Sequence, residues 1–317
     1  MPVPTDLAER LGLHLPLPEV VNGHRNGVNN DPAWDAAYHP CSEAFPAPGI
    51  PLGTVQKIED WSETRVYPGT RRTLWIYVPP DGAANRAGPE HSLRIMFCND
   101  GAWYLSRSGP VRAVQVLDSL HHAGGFPATA AVFVMPGEPE GRVSAPIASY
   151  DATAAQRSQE YDQITPRYGE FLFGEILPLV ERVARQRISP RPQDRLVCGL
   201  SSGGIAAFTA AWFHPKEATR VLSHCGSFTD IWGGHQFPSL VRRTPRKPIR
   251  VLLQSGANDA DTPFGNWALA NQTMAQSLAW AGYDVRFEFG TGGHNLAHGG
   301  AIFADSLRWL WRDDGVA

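Results

Sequence analysis

The chain has 317 residues, 43% hydrophobic and 19% charged, which excludes the disordered and fibrous classes and leaves one large core as the expectation. A formal net charge of −3 supplies no field that would draw the protein to nucleic acid or to an anionic membrane, so neither is expected as a partner. Four cysteines, Cys41, Cys98, Cys198 and Cys225, are too sparse for a disulfide scaffold or a paired-cysteine metal site and read as free thiols.

In chain order, residues 1–52 come first as an extended arm. They are rich in Pro, Asn and Gly (Leu15-Pro16-Leu17-Pro18, Asn22-Gly23, Asn26-Gly27), a composition suited to wrapping the body or helping to form a homo-oligomer. No secretory signal or run of eighteen apolar residues is found, so a cytoplasmic location is expected. The catalytic domain is placed at residues 53–317. Gly53 to Val66 and Arg72 to Val78 read as antiparallel strands around a Pro68-Gly69 turn.

Beyond Val78 the pattern becomes short apolar runs alternating with helical stretches, as in a mainly parallel sheet covered on both faces. The predicted strands are Leu93 to Cys98, Ala130 to Met135, Arg195 to Cys198, Val221 to Ser223, Arg250 to Gln254 and Val285 to Glu288. The predicted helices are Val111 to His122, Arg167 to Gln186, Ser202 to Phe213, Gly265 to Ala281 and Ala301 to Arg312. The basic run Arg242-Arg243-Thr244-Pro245-Arg246-Lys247 reads as a solvated loop.

Gly199-Leu200-Ser201-Ser202-Gly203 follows a strand and opens a helix, the context in which a Gly-x-Ser-x-Gly serine is a nucleophile on a strained turn. The α/β-hydrolase fold is therefore the expected architecture, with the acid and the base following the serine in that order. Asp259, after the strand at 250–254, and His294, in Gly292-Gly293-His294, meet the requirement. Asp261 is the alternative acid. An oxyanion would be held by the backbone N–H of Ser202 and by that of Ala102 or Gly101 after the strand at 93–98. His294 and His298 are four apart, but Asn295 stands where a zinc hydrolase carries glutamate, so no metal and no cofactor is expected.

These segments resemble the esterase family of α/β-hydrolases that includes enterochelin esterases, feruloyl esterases, esterase D and the mycolyltransferases. The likeness runs from about residue 70 to 313. It rests on Arg72 to Pro79, Asp100-Gly101, Gly199 to Gly204, Ser223 to Phe228, Gly256 to Asp259 and Gly292 to His294. Arg157-Ser158-Gln159-Glu160 and Glu175-Ile176-Leu177-Pro178 look like segments of the enterochelin-esterase-like members, and the resemblance implies that Arg157 and Glu160 form or support the pocket rim. A surface ion pair is the alternative for those two. His294 is followed by Asn295, where siderophore esterases typically carry Asp-Trp, so trilactone specificity is not part of what the resemblance implies.

The expected activity is hydrolysis of a carboxylic ester through an acyl-enzyme on a small-molecule or saccharide ester of carbohydrate-linked, aromatic or siderophore type. Trp103, Tyr104, Phe228, Trp232, Trp267 and His298 are the expected surroundings of the substrate. An acyltransferase with the same triad and a non-catalytic binding protein are the alternatives.

Overall fold

The computed structural model describes residues 30–80, 92–139 and 152–312, together with 20–21, 24–25 and 28. The motifs of the arm before residue 20 and its two Asn-Gly steps lie outside the described residues. Eight strands form the main sheet: β1 Thr54–Trp61, β2 Thr70–Val78, β3 Arg94–Asn99, β4 Thr129–Val134, β5 Arg195–Leu200, β6 Arg220–His224, β7 Arg250–Gly256 and β8 Asp284–Gly290. Their spatial order is β8-β7-β6-β5-β3-β4-β2-β1, with Glu138–Pro139 added beside β2.

From β8 to β4 every pairing is parallel, whereas β1 and β2 join antiparallel. This is the α/β-hydrolase fold. The parallel strands are buried on both faces, which is why their sequences run apolar without alternating with polar residues. Within β3, Ile95 and Phe97 face one core layer with Phe171, Ile205 and Phe208, while Met96 and Cys98 face the other with Leu117 and Leu307.

The helices are α1 Gly101–Leu105, α2 Ala113–Ala123, α3 Ala152–Tyr161, α4 Arg167–Phe171, α5 Leu177–Ala184, α6 Ser202–Phe213, α7 Phe237–Arg243, α8 Trp267–Trp280, α9 Ala297–Ala301 and α10 Phe303–Leu310. The single helix expected over 167–186 is divided by a π turn at Leu172–Ile176. That turn aims Glu175 outward to accept from Thr64 Oγ1 at 2.7 Å and from the N–H groups of Arg65 and Val66 at 2.8 and 3.1 Å. The first strand accordingly stops at Trp61, and residues 64–66 are held by a carboxylate instead of a ladder.

One further expectation is corrected. Arg242 and Arg243 belong to the last turn of α7, where cations suit the helix dipole, and the Arg242 guanidinium lies over the Trp280 ring at 4.8 Å. Where the arm is described, Pro32–Asp35 and Ser42–Ala44 form 3₁₀ turns, and Asp35 accepts from the Gly293 N–H of the body. The carboxyl ends of β3, β5, β6, β7 and β8 converge on one rim, the position at which open parallel sheets carry their sites. Among the described residues no helix is long and apolar enough to cross a membrane.

Candidate active site

Ser201 leaves β5 with φ 59° and ψ −121°, a conformation disfavoured for any residue with a Cβ, and α6 starts at the next residue. The turn closes because its neighbours are glycines. A Cβ on Gly199 would stand 2.2 Å from the Gly203 carbonyl oxygen, and one on Gly204 would stand 2.7 Å from Ser223 Oγ. The Ser201 N–H donates to the His224 carbonyl at 2.9 Å, and its own carbonyl accepts from Gly204, Ile205 and Ser227.

Three side chains then form one hydrogen-bonded series. His294 Nε2 lies 2.9 Å from Ser201 Oγ, and His294 Nδ1 lies 2.5 Å from Asp259 Oδ1. The Asp259 side chain has no exposure. Its Oδ1 also accepts from the Ala260 N–H at 2.8 Å and its Oδ2 from Ser255 Oγ at 2.5 Å. Asp261 is exposed and belongs to a two-residue bridge with Asn266, so Asp259 is the carboxylate that meets the imidazole. The Trp267 ring stands edge-on to His294 at 5.8 Å, and its Nε1–H donates to Ser227 Oγ, itself 3.2 Å from Ser201 Oγ.

On the other side of the serine, Asp100 follows β3 in the left-handed region at φ 51° and caps the start of α1. Arg157 grips its carboxylate with two hydrogen bonds, Nε to Oδ1 at 2.9 Å and Nη2 to Oδ2 at 2.8 Å. That charge pair raises the Arg157 pKa against the opposing effect of burial. Gly101 has no room for a side chain, since a Cβ would meet the Phe133 backbone at 2.3 Å. The Ala102 N–H points at Met135 Sδ, 3.4 Å away and a weak acceptor, and the Ser202 N–H opens a helix whose first turn lacks internal acceptors. Behind them Asp162 is buried, and burial pushes its carboxyl up to about 6 against the Arg157 charge and the Ser158 and Ser202 hydroxyls.

The expected substrate surroundings divide sharply. Trp103 is half-buried with the Arg157 guanidinium 6.0 Å from its ring, and Trp232 is 47% exposed with its Nε1–H on Ser158 Oγ. Phe228, by contrast, is buried in an aromatic cluster with Phe208 and Phe237, and the buried Tyr104 is bonded to His224. Glu160 is also corrected: its side chain has no exposure and pairs through both oxygens with the equally buried Arg72 at 2.8 and 3.1 Å. Arg157 and Glu160 therefore serve different partners and make no surface pair with each other.

His298 sits on α9, after the loop that carries His294, stacked on Tyr38 at 4.3 Å and 3.3 Å from Gln254 Nε2. Burial lowers its pKa. Among the described residues, Cys225, Asp259 and His294 form the one group with metal-ligand atoms within 4.8 Å of one another. The imidazole Nδ1 in that group is committed to Asp259. Sequence reasoning missed Ser227, Ser255 and Asp162, and only the four-residue spacing of Ser255 and Asp259 offered a local signal.

A buried carboxylate, an imidazole and a hydroxyl thus stand in series at a strand-to-helix elbow of the α/β-hydrolase fold. Residues 66–310 match the family described as "Putative esterase", and the chain belongs to that family. Curated relatives include iron(III) enterobactin esterases. The one from Dickeya dadantii is 31% identical over 44% of this chain and 34% of its own length. The one from Escherichia coli K12 is 27% identical over 89% and 60%. The chain thus spans no more than about three fifths of these relatives.

Among solved structures, the enterochelin esterase of Shigella flexneri superposes with a TM-score of 0.64 at 23% identity, covering 87% of this chain and 62% of that one. A ferulic acid esterase from Anaeromyces mucronatus, solved with ferulic acid, gives 0.63 at 14% identity over 86% and 96%. These likenesses show the fold.

Proposed function

We propose that the protein is a serine carboxylic-ester hydrolase in which Ser201 is the nucleophile, His294 the general base and Asp259 the residue that orients it. The observation that carries this reading is the continuous series from Asp259 Oδ1 through His294 to Ser201 Oγ, at 2.5 and 2.9 Å. Ser201 Oγ attacks the ester carbonyl while His294 Nε2 takes its proton. The same proton passes to the departing alkoxide as the C–O bond breaks, leaving an acyl-enzyme. Water, deprotonated by His294, attacks next and frees the acid and Ser201.

The negative tetrahedral oxygen is held by the Ser202 N–H and an N–H of the Gly101-Ala102 turn. Arg157 acts from below, since its grip on Asp100 fixes the turn that carries the second donor. Substrate contact falls to Trp103 and Trp232, flat surfaces suited to an aromatic acyl group or a sugar face. Aromatic, carbohydrate-linked and siderophore-type esters are the proposed class, and the relatives named for enterobactin and ferulic acid support it.

Stoichiometric labelling by a fluorophosphonate tests the reading. Wild-type protein should take one label and hydrolyse p-nitrophenyl acetate, and Ser201→Ala should lose the label and at least roughly 10⁴-fold in rate. Unchanged hydrolysis by a folded Ser201→Ala protein refutes it.

A further inference from the structure

We infer that the N-terminal segment 30–38 is a clamp on the loop bearing His294, with Asp35 as its positioning residue. The inference rests on the reading of His294 as the general base. Asp35 reaches both neighbours of that histidine: Oδ1 accepts from the Gly293 N–H at 3.2 Å and Oδ2 from Asn295 Nδ2 at 2.7 Å. Asn30 Nδ2 donates to the His294 carbonyl at 3.3 Å, and Tyr38 Oη accepts from the Thr291 N–H at 3.0 Å. Four of the five positions from 291 to 295, namely 291, 293, 294 and 295, are thereby tied to residues more than 250 positions earlier in the chain.

The loop is shaped to receive the segment. A Cβ on Gly290 would lie 2.0 Å from Tyr38 Oη, one on Gly292 would lie 2.9 Å from Asp35 Oδ1, and one on Gly293 would lie 2.8 Å from Asn30 Oδ1 and 3.3 Å from the Trp34 ring. None of these three glycines has a positive φ. Their missing side chains therefore serve close approach by the arm, not an unusual backbone. The adjoining Ala36 and Ala37 are exposed, so the segment is a thin layer that contributes little to the core.

Loss of the clamp should leave the nucleophile and the sheet in place while the imidazole wanders from its 2.9 Å contact, an error that lowers turnover more than binding. On p-nitrophenyl acetate, Asp35→Ala should lower kcat about tenfold to a hundredfold, the range typical of groups that orient a catalytic ligand, with KM changed less than about twofold. Asp35→Asn, whose amide oxygen still accepts from Gly293, should recover part of the loss. The losses from Asp35→Ala and Asn295→Ala should be less than additive in the double variant, because both remove the Asp35–Asn295 bond.

Tyr38→Phe, which keeps the ring on His298 and removes the acceptor for Thr291, gives an independent reading should Asp35→Ala fail to fold. A folded Asp35→Ala or Tyr38→Phe protein with kcat within twofold of wild type, measured beside an inactive Ser201→Ala, overturns the clamp and leaves the esterase reading standing. An active Ser201→Ala protein overturns the esterase reading instead.

Discussion

Replacing Asp259 by asparagine tests the charge of the triad apart from its geometry, because of how the carboxylate is bonded. Oδ1 accepts from both His294 Nδ1 and the Ala260 N–H, while Oδ2 accepts from the Ser255 hydroxyl. An asparagine can therefore place its carbonyl oxygen at the Oδ1 position and its NH₂ toward Ser255, whose hydroxyl turns from donor to acceptor. The imidazole keeps its orientation and tautomer and loses only the negative charge facing the imidazolium of the transition state. Two unit charges about 4 Å apart at an effective dielectric of 20 interact by about 4 kcal/mol, equivalent to roughly 10³ in rate.

Asp259→Asn should accordingly lower kcat on p-nitrophenyl acetate by roughly 10² to 10³, the amide dipole restoring part of the loss. Adding Ser255→Ala removes the acceptor that orients the amide, lets the NH₂ turn toward His294 and should deepen the loss to roughly 10⁴, the cost of a wrong tautomer. Asp261→Asn should stay within twofold, its carboxylate being exposed and away from the ring. A large loss in Asp261→Asn with Asp259→Asn near wild type refutes the assignment of the acid. Equal losses with and without Ser255 refute the account of the amide's orientation.

Glu160→Ala leaves the fully buried Arg72 guanidinium without its carboxylate, so stability should fall by about 3–5 kcal/mol, against under about 0.5 kcal/mol for Glu59→Gln in the exposed Lys57–Glu59 pair. Thermal unfolding should register a drop of roughly 5–12 °C in the first and almost none in the second. Two buried groups give pH dependences of opposite sign. Burial lowers His224 to about 3, so the unfolded chain binds the extra proton first and stability falls as pH drops from about 6.5 toward 3. Asp162, raised to about 6 from 3.8, loses stability in the other direction, as pH rises through that interval. In urea titrations between pH 4 and 7, His224→Gln should flatten the decline toward acid and Asp162→Asn should steepen it. Parallel curves for both variants and the wild type would show that neither group is linked to folding.

Whatever depends on local pattern could be read from the sequence. Parallel strands run apolar because both of their faces are buried, and the elbow is visible because close packing at Gly199 and Gly203 flanks the positive φ of Ser201. Features set by distant partners were not legible. Arg157 and Glu160 stand three apart on α3 yet pair with Asp100 and Arg72, 57 and 88 positions away. Nor does an aromatic side chain announce its direction, so Phe228 in the core and Trp232 at the rim look alike in the chain. The five residues of α1 are too few to show a helical period, and the arm showed none because it binds by polar groups and close approach instead of an apolar face.

Three non-glycine residues with positive φ, Asp100, Ser201 and Cys225, each follow directly on the last residue of a strand, and those strands, β3, β5 and β6, are neighbours. Residues held in such regions cost about 1–3 kcal/mol each and persist only where the surroundings over-determine them. Asp100 has the Arg157 fork, Ser201 the His224 carbonyl, and Cys225 an N–H bond of 2.6 Å to the Gln254 carbonyl on β7. Turning the chain sharply at three adjacent strand ends frees the rim of side chains that would otherwise continue the sheet. It also brings the Gly101-Ala102 turn, the Ser201 hydroxyl and the Gly226-Ser227 step to one place. The strain is thus the structural cost of convergence: three separate βα connections turn at one rim, and the ion pair and strand contacts behind them hold that arrangement in place.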